Sequence, residues 1–365
     1  MGWGGQEIRV LGEMHAMRDR GHQVYLASPR DSEIYNNASD SNFRPWALDV
    51  RKPTLPISIF RLANRLRSNG IQVVNPHSSA DGWIAGLAGR LAGTPLIIRS
   101  RHIEVDYKKR ISSHWSFGKL PHHVLTTSKR ISNGLVSALD LNPDRVDCIP
   151  TGIDLNQFNP SIKGNLHNEL GLADDVPLIG MVSVIRSWKG HDYFVEAAKI
   201  VVQRIPNAHF VVAGGGNDRR LEKIQRWVKA ADLEERFHLL GHRQDVPNLL
   251  ASYSILVLPS TGHEGIPQII LQSHAMQCPI VSTTVGGIPE VVENGQTGVL
   301  VPPNNSASLA DAIYELLLNE NLGNRMSEAG RKMVEASHSV DHMCHRLEKL
   351  YYRYLGGNNA SRRDN

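Results

Sequence analysis

Short apolar runs alternate with amphipathic stretches along almost the whole chain. This alternation restricts the fold more than any other feature. The candidate strands fall into two series. Residues 23–27, 72–75, 96–100, 124–127 and 146–149 make the first, and residues 178–183, 208–213, 237–240, 255–258, 280–283 and 299–301 the second. Helical periodicity lies between them, for example over residues 7–20, 80–92, 129–139, 191–204, 219–231 and 266–276. Strands separated by helices run parallel, with helices covering both faces of the sheet. The predicted class is therefore α/β. Two series in 365 residues match two doubly wound domains, because one domain takes roughly 100–200 residues.

Punctuation places the boundary. Pro150-Thr151-Gly152-Ile153-Asp154 ends the first series, and polar residues 156–175 contain Pro160, Gly164 and Gly171. A linker is expected near residues 155–176, with domains at 1–160 and 161–336. Met343, Leu347, Leu350, Tyr351 and Leu355 recur at helical spacing. Residues 337–356 are thus expected to form a C-terminal helix that packs back toward the first domain.

Composition narrows the class further. The 40 Lys and Arg against 36 Asp and Glu leave +4 with neutral His, too small an excess to imply nucleic acid. The basic residues crowd the first 130 positions: Arg61, Arg65, Arg67, Arg99, Arg101, Lys108, Lys109, Arg110, Lys119, Lys129 and Arg130. Such a half suits either a solvated surface or contact with an anionic membrane or acidic ligand. Cys148, Cys278 and Cys344 are scattered and odd in number, which argues for a reducing compartment and against a disulfide framework. No apolar run is long enough to span a bilayer. No signal peptide is evident at Met1-Gly2-Trp3-Gly4-Gly5, so a cytoplasmic protein is expected. The His238/His242 and His338/His342 spacings lack the Glu of a metalloprotease motif, and no metal site is expected.

In open parallel sheets ligands bind beyond the carboxyl ends of the strands. Four loops there carry candidate chemistry. Gly4 and Gly5 open a helix and present amides suited to an anion. Ile8, Leu11, Met14 and Met17 are expected on that helix's buried face. Arg186 and Lys189 precede a helix start, against its dipole unless an anion is present, and phosphate is the natural partner. Glu264-Gly265-Ile266-Pro267 opens another helix, with Gln272 two turns along it. Gly214-Gly215-Gly216 reads equally as a phosphate loop or a tight turn. Arg243 is placed to stack on a flat base. His77 and His102 each stand just past a strand end, where an imidazole can orient a hydroxyl or bind phosphate. Of the two, His102 is the favoured site residue.

Taken in order, these loops resemble those of glycosyltransferase family 4. The resemblance runs through Glu264-Gly265-Ile266-Pro267, then Cys278-Pro279-Ile280-Val281 to Gly286-Gly287-Ile288-Pro289-Glu290. Ile149 to Asp154, Trp188-Lys189-Gly190-His191 and Gly295 to Pro303 support it, as do the Gly-rich start and Arg20-Gly21-His22-Gln23-Val24. It implies a GT-B fold, two Rossmann-like domains facing a cleft. It also implies a retaining, metal-independent enzyme that uses a nucleotide-diphosphate sugar as donor substrate and needs no cofactor. Lys189 and Arg186 would hold the diphosphate, Glu264 the sugar hydroxyls, and the amides of Gly265 and Ile266 sugar or phosphate. Gly4 and Gly5 would approach the diphosphate, and His102 the reacting sugar. The acceptor would be a glycan or lipid-linked glycan, in surface polysaccharide or lipopolysaccharide synthesis at the inner membrane face. An epimerase of similar fold and a non-catalytic nucleotide-sugar-binding relative are the alternatives.

Three departures from the family pattern set further expectations. Gln272 stands where Glu is common, and a neutral amide can still serve ribose hydroxyls. Ser183-Val184 replaces the usual Gly-Arg, with Arg186 nearer the Lys. No strand precedes the Gly-rich loop. The first strand of the N-terminal domain is therefore expected to be missing, as in a chain truncated upstream.

Overall fold

The computed structural model describes residues 4–51, 54–104 and 110–356. Trp3, Lys108 and Lys109, named above, lie outside the described residues. The chain forms two units, Met1–Gly152 with Val340–Asn365, and Ile153–Ser339. The division falls at Gly152/Ile153, eight residues before the expected boundary. It does so because the polar stretch is structured. Leu166 of the short helix Leu166–Leu170 is fully buried in the second unit's core, with Ile153 and Phe158 beside it.

Unit 1 contains β1 (Ala27–Ser28), β2 (Trp46–Ala47), β3 (Val73–Val74), β4 (Leu96–Arg101), β5 (His123–Thr126) and β6 (Val146–Cys148). All pairs are parallel, but they form two separate ladders, β1-β2 and β3-β4-β5-β6. The apolar packing crosses the break on both faces. Ala27, Trp46 and Val74 share a cluster with helices Leu55–Ser68 and Ser79–Ala92. Val24 and Val73 share another with Met17 and Leu347. Among the described residues no strand precedes helix Gly5–Asp19.

That helix departs from the expected stripe. It buries Arg9, Val10, Glu13, Met14 and Met17, while Ile8 is exposed. The reason is a polar tie: Arg9 donates to the Ile149 carbonyl at 2.8 Å and to Thr151 Oγ1 at 3.2 Å. The last helix, Val340–Leu355, belongs to unit 1. It buries Met343, Cys344, Leu347 and Leu350 against Met17, Leu96 and Leu125. Arg20 pairs with its Asp341 and Glu348 at 2.9 and 3.0 Å.

Unit 2 holds β7 (Leu178–Val182), β8 (His209–Ala213), β9 (Phe237–Gly241), β10 (Ile255–Leu258), β11 (Ile280–Thr283) and β12 (Val299–Val301). Their order is β12-β11-β10-β7-β8-β9, all parallel. Strand side chains alternate between two cores, as the pleat requires. Ile255 and Val257 join Phe194, Ile224 and Ile313 on one face. Leu256 and Leu258 join Leu249, Ile270 and Leu271 on the other. Among the described residues no helix is long and apolar enough to cross a membrane.

Two buried imidazoles make unit 2 sensitive to acid. His274 Nε2–H donates to the Val291 carbonyl at 2.9 Å, and burial holds its pKa at about 4. Burial, then the nearby Lys189 charge, lowers His191 to about 4. Both titrate near 6.5 in an unfolded chain, so the unfolded state binds more protons as pH falls. Their contribution is complete above about pH 6.5 and is lost toward pH 4. The melting temperature of the unit 2 transition should therefore fall from pH 7 to pH 5, and His274→Gln should flatten that slope. Calorimetry showing equal slopes for the two proteins would contradict a neutral buried His274.

Candidate active site

Strand order in unit 2 reverses between β7 and β10, which are neighbours in the sheet. The loops leaving their carboxyl ends therefore open side by side, the place where such sheets bind ligands. Residues 183–190 follow β7 and residues 259–267 follow β10. The Thr261 amide donates to the Trp188 carbonyl at 2.8 Å and ties the loops together.

Close backbone approach sets this geometry. Gly190 has φ +73°, and a Cβ there would lie 2.0 Å from the Pro259 carbonyl oxygen. Gly286 has φ +58°, and a Cβ there would lie 2.2 Å from the Glu264 carbonyl oxygen. Only glycine meets both demands, of space and of a left-handed conformation.

The centre of the site is the Glu264 carboxylate, which is buried. Its Oε1 accepts from Ser260 Oγ at 2.6 Å and from Lys189 Nζ at 2.6 Å. The Lys189 and Glu264 side chains are 17% and 8% exposed, so the pair is largely shielded from water. Arg186 is exposed, its guanidinium carbon 6.0 Å from the Trp188 ring centroid. Trp188 meets His263 edge-on at 5.6 Å. Gly265 and Ile266 are buried just before helix Gln268–Ala275, whose N-cap is Pro267 rather than an acidic residue. Two cations, a carboxylate and a helix start thus share one end of the β7–β10 pair.

Other expected residues lie apart from this centre. Gln272 is half-buried on helix Gln268–Ala275. Arg243 is held by carboxylates, at 2.6 Å from Asp245 and 2.9 Å from Glu169, which raise its pKa. Its donating edges are filled, so only its faces remain for stacking. The Gly214 amide donates to the Gly241 carbonyl and the Gly215 carbonyl accepts from the Ile185 amide, so the run is tied to both neighbouring segments.

Unit 1 holds the remaining candidates. Gly4 caps helix Gly5–Asp19, and its amide donates to Glu7 Oε2 at 3.1 Å. The carboxylate thus occupies the place at the helix start where an external anion was expected. His102 follows β4, and its Nε2 lies 2.9 Å from His77 Nδ1. Burial, then His77 and Arg9, hold the His102 pKa well below the usual histidine value. The sequence alone singled out neither Ser260 nor Trp188, and it ranked His77 below His102. Ser260 stands four residues before Glu264, a spacing that only the folded loop makes meaningful.

Family models cover nearly the whole chain. The model described as Glycosyltransferase Family 4 matches residues 3–157, and the one described as Glycosyl transferases group 1 matches residues 163–333. The chain belongs to glycosyltransferase family 4. Among family relatives, an Escherichia coli UDP-Gal:alpha-D-GlcNAc-diphosphoundecaprenol alpha-1,3-galactosyltransferase is 28% identical, over 81% of this chain and 78% of its own length. A Corynebacterium glutamicum GDP-mannose-dependent monoacylated alpha-(1-6)-phosphatidylinositol monomannoside mannosyltransferase is 29% identical, over 93% and 92%. The fold matches that of a Rickettsia africae glycosyltransferase with TM-score 0.87 and 20% identity, over 96% of this chain and 95% of the other. It also matches Anabaena HepE, crystallised with UDP-glucose, with TM-score 0.84 and 17% identity, over 96% of each chain. The fold is GT-B and the protein is a glycosyltransferase.

Gly190 gives this family member a direct test of loop geometry. Gly190→Ala combines a left-handed φ with contact against Pro259, and should destabilise by more than about 1 kcal/mol. The expected loss is at least about 2–4 °C in melting temperature. An unchanged melting temperature would mean the two loops do not depend on this approach.

Proposed function

We propose that the enzyme transfers a sugar from a nucleotide-diphosphate donor to a lipid-linked or glycan acceptor, with retention of anomeric configuration. The observation that carries this reading is the shielded Lys189–Glu264 pair at the β7–β10 reversal, with Arg186 on the same loop as Lys189. Breaking a sugar–phosphate bond leaves negative charge on the diphosphate. Lys189 and Arg186 stabilise that charge as it develops, in a setting where electrostatics is strong. Glu264 then accepts hydrogen bonds from sugar hydroxyls, and the amides of Gly265 and Ile266 contact sugar or phosphate. Gln272 serves ribose hydroxyls. Gly4 and Gly5 reach the diphosphate once Glu7 yields, and His102 approaches the reacting sugar. The acceptor hydroxyl attacks from the leaving-group face: its oxygen bonds the anomeric carbon as the sugar–phosphate bond breaks, its proton passes to the departing diphosphate oxygen, and the configuration is preserved. With two cations in place, no metal is required.

The relatives' names support donor and acceptor classes. They specify UDP-Gal and GDP-mannose as donors, and acceptors carried on undecaprenol or phosphatidylinositol. Surface glycan synthesis at a membrane fits both. Lys189→Ala should lower turnover by roughly 10²–10³, as loss of a transition-state electrostatic donor does. The assay is donor turnover across a panel of nucleotide sugars, with EDTA present. Unchanged turnover in Lys189→Ala would remove the role given to it. Interconverted donor sugars would point to an epimerase, and donor binding without turnover to a non-catalytic relative. Loss of activity with EDTA would overturn metal independence.

We infer a peripheral membrane contact from the exposed apolar and basic side chains of unit 1. Ile57, Phe60, Leu87, Leu91, Ile111 and Trp115 are exposed, and basic Arg61, Arg67, Arg90, Arg110 and Lys119 are exposed on the same helices or beside them. Apolar insertion combined with cations favours anionic lipid. Co-sedimentation should be severalfold greater with phosphatidylglycerol vesicles than with phosphatidylcholine ones, and should weaken in high salt. Phe60→Glu should reduce it further. Equal sedimentation with both lipids would rule out the electrostatic part.

A further inference from the structure

We propose that His77 is a positioning residue. Through its contact with His102, it ties the protonation site of His102 to its own, so that the hydrogen-bonding role His102 offers a substrate hydroxyl changes only when both rings change together. The inference rests on the role proposed above for His102.

The pair is built by strand register. β3 and β4 are parallel neighbours, with Val73 opposite Leu96 and Val74 opposite Ile97. Pairing continues past the strands, where the Ser100 amide donates to the Pro76 carbonyl at 3.0 Å. Ser100 Oγ donates to Asn75 Oδ1 at 2.7 Å. Two residues further along each segment stand His77 and His102. Each is anchored independently. The His77 amide donates to Asp81 Oδ2 at 3.1 Å, and the His102 carbonyl accepts from Thr127 Oγ1 at 3.2 Å. The ring centroids are 5.2 Å apart and the planes are inclined at 26°, so the rings meet edge to edge and nearly in one plane, as a hydrogen bond between ring nitrogens requires.

The surroundings keep both rings neutral. The charged groups acting on them are Arg9, Arg99, Arg101 and one carboxylate, Asp81. Asp81 lies 3.8 Å from Arg99. Burial is the largest influence on both imidazoles, and it holds His77 at about 4.

A contact between two ring nitrogens at hydrogen-bond distance takes one proton. Two neutral imidazoles each carry one proton, on one nitrogen or the other. Two arrangements follow. If His77 Nδ1–H donates, His102 Nε2 accepts and His102 Nδ1–H faces outward as a donor. If His102 Nε2–H donates, His102 Nδ1 faces outward as an acceptor and His77 Nε2 carries the other proton. The two outer nitrogens are therefore always opposite in role. Changing one role moves one proton across the contact, takes one up at one outer nitrogen and releases one at the other. A lone His102 has no such restriction and exchanges tautomers freely. His77 thus makes the role offered to a substrate hydroxyl a joint property of the two rings.

Nitrogen-15 spectra of the imidazoles read this directly, without substrate. His77 and His102, each assigned by difference against its Gln variant, should report equal Nδ1–H populations in the native protein, and the His102 population should shift in His77→Phe. Unequal native populations, or an unchanged His102 population in His77→Phe, overturn the proposal. Kinetics then tests its consequence. His77→Phe should lower kcat by roughly 10–100-fold with KM changed about twofold at most, as for other residues that orient a functional imidazole. His77→Asn, whose amide occupies the place of Nδ1, should recover most of the loss. In a His102→Ala background, His77→Phe should have no further effect. Additive losses would mean His77 acts by another route and would overturn the positioning role. If His102→Ala alone leaves turnover unchanged, the role given to His102 fails, while the tautomer measurement still decides whether His77 controls it.

Discussion

Parallel pairing of β7 with β10 is the constraint on which unit 2 depends. Ile179 lies opposite Ile255 and Gly180 opposite Leu256. The chain reaches β7 first, winds outward through β8 and β9, then returns to start again at β10 on the other side. Gly180 leaves room for the Tyr253 ring, which a Cβ would approach to 2.0 Å. With these strands adjacent, the following loops have little choice but to meet. Thr261 reaches Trp188, and Lys189 reaches Glu264 across 75 residues of sequence. The apolar cores above and below the sheet hold the strands, and the strands hold the charges.

The two units treat charge in different ways. In unit 2, Lys189 and Glu264 neutralise each other in a shielded place. A buried pair of this kind contributes little net stability, but either partner alone is costly. An anion that takes over Lys189 must therefore leave Glu264 with new donors, and sugar hydroxyls can supply them. In unit 1, His77 and His102 stay neutral among arginines, and hydrogen-bond direction takes the place of charge. One centre is a charged pair and the other an uncharged one.

Legibility in the sequence followed burial. Strands at 255–258 and 280–283 lie where expected, because central parallel strands are buried on both faces and read as unbroken apolar runs; the edge strand at 299–301 also lies where expected. Lys129–Leu139 and His191–Arg204 also match their periodicity. The first strand of unit 1 was placed at residues 23–27, but the ladder covers only Ala27–Ser28, and β2 was not foreseen. Val24 and Leu26 are apolar for packing, yet the sheet break denies them a neighbour on one side. Arg9 and Glu13 on a buried helix face run against hydrophobic periodicity altogether. At the site, Lys189 and Glu264 were legible because charges at helix starts are conspicuous. Their direct contact was not, and neither was the His77–His102 contact, since both depend on strand register.

Unit 2 begins and ends at one point. Ile153 and Ser339 form a parallel bridge, and the Ile153 amide donates to the His338 carbonyl at 2.8 Å. From the viewpoint of unit 1, 187 residues are an insertion whose two ends touch. This has a consequence for synthesis on the ribosome. Unit 2 has all its strands and helices once Ser339 has emerged. Unit 1 is made first, but its core still lacks Met343, Cys344, Leu347 and Leu350 at that moment. Its β4 and β5 therefore wait with an uncovered apolar face until the final helix arrives. The domain translated first is the one completed last, and its exposed interval lengthens with the time taken to translate the domain inserted within it.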